Sequence, residues 1–110
     1  METKMNPPFT IDYIREKTVP IAKKYGISRM SLFGSYARGE ADKESDVDIL
    51  IDRGKIRGML QYFAFVYDLE DEFNCHVDVV TTGSSNKDFL NDIKRDEVLL
   101  YAEKRKEVQT

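Results

Sequence analysis

The sequence predicts an α/β (α+β) domain, a sheet with helices packed on it. Short strand-like runs recur at 29–34, 46–52 and 75–81, the second rich in β-branched residues. Apolar residues at helical spacing separate them, most clearly over 57–73. At 110 residues, 41% hydrophobic and 34% charged, the chain suits one globular domain and leaves little room for a second.

Residues 1–9 read as a loose leader. Thr10 can cap a first helix, with Asp12 in its first turn and Ile11, Ile14 and Val19 as a partial apolar stripe. Pro20 lacks the amide a helix interior needs, which predicts a kink or restart near Thr18. Lys23, Lys24 and Gly26 predict the stop. A strand over 29–34 is followed by a short helix opening at Gly34-Ser35, and a second strand covers 46–52. Met59, Leu60, Phe63, Val66, Tyr67 and Phe73 give the helix over 57–73 its stripe, which predicts a core-facing side. Phe63 and Phe65 cannot both face the core, so one of them is left for an interface. A third strand over 75–81 and a helix over 87–94 follow; residues 97–104 fit either state and are assigned to a final helix.

Composition excludes several classes. The net charge of −3 supplies no basic field, so no DNA binding is expected. No apolar run approaches the roughly 18–20 residues of a membrane span. The first eight residues hold no apolar stretch of the export-signal kind, which predicts a cytoplasmic protein. One cysteine, Cys75, and one histidine, His76, leave no intrachain disulfide and no Cys/His zinc site.

The chemistry-bearing residues cluster at strand ends. Asp46 and Asp48 stand two apart in a strand pattern, so they share a face while Val47, Ile49 and Ile51 take the other. Paired carboxylates suit Mg²⁺, which completes its shell with substrate phosphates. Asp78, between Val77 and Val79, joins that face if the second and third strands are neighbours. Three gathered aspartates need a counter-charge, and a metal supplies one. Ahead of them lies Gly34-Ser35-Tyr36-Ala37-Arg38-Gly39. Gly34 allows a sharp turn and close ligand approach, Ser35 adds a donor at a helix start, and Arg38 can reach a phosphate or a carboxylate. Each piece alone is commonplace; the spacing of all of them is specific.

The stretch FGSYARGEADKESDVDIL, with Asp78 one helix and strand later, resembles the minimal nucleotidyltransferase (MNT) group of the DNA polymerase β-like superfamily, over roughly residues 25–82. The resemblance implies the polymerase β-like fold with a small mixed sheet. It implies that Gly34 and Ser35 hold the nucleotide triphosphate, with Arg38 at a basic position common in the group. It implies that Asp46, Asp48 and Asp78 bind two Mg²⁺ ions, which clamp the attacking and leaving oxygens of an in-line displacement. In this group the partner is commonly a helical HEPN RNase toxin. The MNT protein then acts as a type VII-like antitoxin that transfers AMP from ATP to a toxin tyrosine. Two other readings stay open at this point: a transferase for a small alcohol whose pocket a partner chain completes, and a module that neutralises a toxin by capping it.

The remaining residues receive plainer readings. Cys75 is expected to be half-buried, His76 to be structural or to flank the site, and Asp52 to be a solvated strand end. Tyr36 is divided evenly between nucleotide stacking and core, and Glu40, Asp42, Lys43 and Glu44 form a solvated loop.

Overall fold

A computed structural model describes residues 5–83 and 86–103. Its elements are α1 (Ile11–Tyr25), β1 (Arg29–Phe33), α2 (Gly34–Arg38), β2 (Val47–Asp52), α3 (Gly58–Phe73), β3 (Val77–Thr81), α4 (Lys87–Asp96) and β4 (Val98–Ala102). The sheet is mixed, in the order β3-β2-β1-β4. β1 is antiparallel to both β2 and β4, and β3 is parallel to β2. A parallel neighbour needs a crossover, and α3 provides it.

Thr10 caps α1 as expected, its hydroxyl accepting from the Tyr13 amide at 3.0 Å. Gly26 ends the helix in the left-handed region at φ 73°, its amide bonding to Ala22 and Lys23 carbonyls. The restart expected at Pro20 does not occur; α1 is one helix through it. Pro20 is exposed, so its ring meets solvent rather than the core. On either side of it, buried Thr18 and Ala22 anchor the helix to the core.

The core lies on one face of the sheet. Val47, Ile49, Ile51 and Val77 point into it and meet Ile14 and Ala22 of α1 and Phe65, Leu69 and Phe73 of α3. Phe9 belongs there too: it is 6% exposed and stacks on Tyr13 and Tyr36 with ring centroids 5.5 and 6.0 Å apart. The end of the leader is therefore fixed by an aromatic anchor. Tyr36 proves to be a core residue, its hydroxyl accepting from the Phe9 amide.

Two expectations are corrected. Residues 98–102 form a strand rather than a helix. The free side of β1 offers an unpaired ladder that this segment fills, with Arg29 paired to Glu97 at 3.2 Å beside the junction. The apolar stripe of α3 is only partly core. Phe65, Leu69 and Phe73 are buried, whereas Met59, Leu60, Phe63 and Tyr67 are 69, 87, 55 and 72% exposed. A helix against a single sheet face buries about one stripe, and the second stripe of α3 faces outward.

Candidate functional site

The other sheet face carries the polar cluster. Strand alternation sends Asp48 away from the core that holds Val47 and Ile49. The β2/β3 register sets Asp48 directly beside Asp78, and the β1/β2 register sets it opposite Phe33. The neighbour relation that the aspartate argument required is therefore present. Asp46 precedes β2 by one residue and is exposed, so the strand is shorter at its start than the sequence suggested.

Gly34 opens α2 at the end of β1 with φ 73°, a region side chains rarely adopt. A Cβ built on Gly34 would run into Asp48 Oδ2. The glycine thus admits the carboxylate as well as the turn. Ser35 is half-buried in the first turn of α2; Phe33 is the N-cap residue and makes no side-chain cap. Arg38 is exposed, its Nε donating to Glu40 Oε1 at 3.0 Å.

The Asp48 carboxyl is pushed up to about 6, first by burial and then by the charges of Asp78 and Asp46; His76 and Arg38 oppose this more weakly. This is the signature of like charges gathered at a half-buried position. Among the described residues, no three Asp, Glu, His or Cys side chains form a metal cage by themselves. The donor set is instead that of a cation held by one or two carboxylates and completed by phosphate oxygens. The hard oxygens of Asp48 and Asp78 fit such a cation, and its charge would relieve their repulsion.

Residues around the cluster sharpen several readings. His76 is exposed and lies 3.2 Å through Nδ1 from Glu70 Oε2, which also accepts from the Val77 amide. Cys75 is half-buried, and burial together with Asp46 and Glu70 raises its thiol. Asp52 is not a free strand end: its Oδ1 accepts from the Thr82 hydroxyl at 2.5 Å. Tyr62 donates to the Val79 carbonyl at 2.8 Å on the outer side of β3, and burial with the Asp78 charge raises its phenol.

Sequence reasoning missed a cleft of about 230 Å³ against Gly34. Phe33, Gly34 and Arg38 line one wall, and Phe89, Asp92, Ile93 and Asp96 of α4 line the other. The α4 residues follow i, i+3, i+4, i+7, a single helix face. That spacing was visible, but its meaning depends on α4 folding over the polar side of the sheet, where Ile93 packs on Phe33 and Leu50.

The polymerase beta nucleotidyltransferase family pattern matches residues 16–106. A candidate protein adenylyltransferase of Methanocaldococcus jannaschii is 42% identical over 74 residues, covering 67% of this chain and 80% of its own length. The protein adenylyltransferase MntA of Thermococcus cleftensis is 33% identical over 78 residues, covering 71% and 79%. Among solved structures, a candidate minimal nucleotidyltransferase superposes with a TM-score of 0.72 at 25% identity, over 84% of this chain and 98% of that one. A toxin–antitoxin complex with AMP-PNP superposes with a TM-score of 0.71 at 19% identity, over 81% and 73%. An MNT antitoxin with its tri-AMPylated HEPN toxin from Shewanella oneidensis gives 0.67 at 16% identity, over 86% and 74%. These last two likenesses concern the fold. The pattern takes in β1 to β4 with the Gly34 turn and all three aspartates between them, and on that span the chain belongs to the polymerase β nucleotidyltransferase family.

Proposed function

We propose that the protein transfers AMP from ATP to a hydroxyl, that of a tyrosine, on a cognate HEPN-type RNase toxin, and thereby acts as its antitoxin. The observation that carries this reading is the pairing of Asp48 with Asp78 across β2 and β3, next to the Gly34 turn. The relatives named as protein adenylyltransferases and the MNT–HEPN complexes of the same fold support the choice of acceptor.

Gly34 and Ser35 receive the triphosphate, with Arg38 able to swing from Glu40 to a phosphate oxygen. Asp46, Asp48 and Asp78 would hold Mg²⁺, which supplies charge neutralisation at the triphosphate and lowers the pKa of the acceptor hydroxyl. The acceptor oxygen attacks the α-phosphorus, the bond to the β-phosphate bridge breaks, pyrophosphate leaves and the hydroxyl proton passes to solvent. The protein's work is positioning and electrostatic stabilisation, with no covalent intermediate. A phenol of ordinary pKa near 10 needs that help at neutral pH.

Intact-mass spectrometry of the HEPN partner after incubation with this protein, ATP and Mg²⁺ is the test. Additions of about 329 Da per transferred AMP are expected, since the nucleophile gains one adenylyl group. A partner of unchanged mass that is nevertheless inhibited refutes transfer and leaves a capping module.

A further inference from the structure

We propose that the outer face of α3 is a self-association surface, on which a second copy of this chain lays its own α3 antiparallel, about a two-fold axis at Ala64.

From Gly58 to Tyr67 no residue carries a charge, in a chain that is 34% charged. Within that stretch Met59, Leu60, Phe63 and Tyr67 are 69, 87, 55 and 72% exposed. Together they show water on the order of 500 Å² of largely apolar surface, the upper end of what an ordinary monomer exposes. Missing charge with abundant aromatic side chains and methionine marks the centre of a protein interface. At about 100° per residue, Leu60 and Tyr67 lie within about 20° of each other, on the side of the helix opposite buried Phe65 and Leu69. The patch therefore points straight away from the sheet. Phe63 and Ala64 flank that line, and the small, exposed Ala64 lets another helix come close.

Charge selects the occupant. Arg53, Lys55 and Arg57 stand at the start of α3, and Glu70, Asp71 and Glu72 at its end. A parallel copy would set like charge against like, whereas an antiparallel copy sets each end against its complement. With the axis at Ala64, exposed Arg57 and Asp71 stand equally far from it on the same flank of the patch. Arg57 then faces the partner's Asp71, and the pair occurs twice. Leu60 falls within one residue of the level of the partner's Tyr67, so apolar groups fill the middle. A partner bearing the acceptor hydroxyl has a different destination. It must reach Asp48 and Asp78, on the sheet face opposite the one α3 covers. A dimer through α3 leaves both of those sites open. The 16 residues of α3 span about 24 Å. Two such helices bury less than the roughly 800 Å² per partner of a standard interface, which predicts a weak dimer with Kd on the order of 100 µM.

Sedimentation equilibrium of the full chain over roughly 5 to 500 µM brackets that constant and tests the proposal. The mass should rise from monomer toward dimer. Leu60→Asp/Tyr67→Asp should weaken association about tenfold or more, with the circular dichroism and melting of wild type, since both positions are exposed. Arg57→Glu and Asp71→Arg should each weaken it about threefold, and Arg57→Glu/Asp71→Arg should restore it, because the swap recreates both ion pairs only in the antiparallel arrangement. A wild type that stays monomeric throughout, a dimer indifferent to Leu60→Asp/Tyr67→Asp, or charge losses that add in the double swap would overturn the proposal. A monomeric wild type whose Leu60→Asp/Tyr67→Asp form no longer captures the HEPN-type partner would assign the face to that partner and overturn it equally.

Discussion

Replacing Asp48 with asparagine should stabilise the protein in EDTA at neutral pH while abolishing nucleotidyl transfer. The Asp48 carboxyl is half-buried beside Asp78, and its pKa stands at about 6 instead of 3.8. A rise of that size corresponds to about 3 kcal/mol if fully expressed, at 1.36 kcal/mol per unit. Partial exposure lets water screen the charge, so about 1–2 kcal/mol is the expected gain from the neutral isostere. For a domain of this size that is a rise in Tm of roughly 5–10 °C. The sign follows from proton binding. Below pH 3.8 the carboxyl is protonated in both the native and the unfolded chain, and no penalty exists. Between 3.8 and about 6 the native state keeps a proton the unfolded state has lost, so stability falls as pH rises; above 6 the whole penalty is present. The difference between variant and wild type should therefore grow from near zero at about pH 4 to a plateau above pH 6. Thermal and urea unfolding across that range, both proteins in EDTA, measure it. A variant equal to or weaker than wild type at pH 7.5, or a difference independent of pH, would refute the argument that this site stores charge repulsion for a bound cation.

Three further outcomes are expected. Gly34→Ala should cost about 2–3 kcal/mol, from the left-handed backbone and the collision with Asp48 Oδ2, and adding Asp48→Ala should recover the collision part in a double-mutant cycle by urea unfolding. Phe65→Ala should cost roughly 3–5 kcal/mol, whereas Phe63→Ala, about 200° around the same helix and 55% exposed, should stay within about 0.5 kcal/mol by the same assay. Asp78→Asn should cut AMP transfer on the order of a hundredfold while leaving the affinity for a non-reacting ATP analogue close to wild type, read by intact mass and calorimetry.

Local signals in the sequence were enough for several features. Thr10 and Gly26 bound α1 because caps are read from one or two side chains and one φ angle. β2 and β3 follow from β-branched runs and β1 from a short apolar one, with ends shifted by one or two residues. The candidate residues Gly34, Asp48 and Asp78 could be singled out because a turn glycine and aspartates at fixed strand parity form a pattern that chance seldom produces together. Their adjacency remained conditional on strand order, which no local signal carries.

The tertiary structure decided everything that depends on a partner distant in sequence. Residues 98–102 are a strand because β1 presents an unpaired edge some 65 residues earlier, an attraction absent from the segment's own composition. α1 runs through Pro20 because packing of Thr18 and Ala22 outweighs one lost hydrogen bond. Phe9 is core because Tyr13, Tyr36 and Phe73 close around it from three helices. The division of α3 into a buried and an exposed stripe reflects how many faces the sheet offers, which apolar spacing cannot count. The same holds at the site. Which groups are candidates for phosphate and metal was readable from the sequence, since that is chemistry of individual side chains. The parallel register that sets Asp48 beside Asp78, and the seating of α4 that opens a cleft against Gly34, come from long-range packing, because the free energy that selects them exists only once the elements meet.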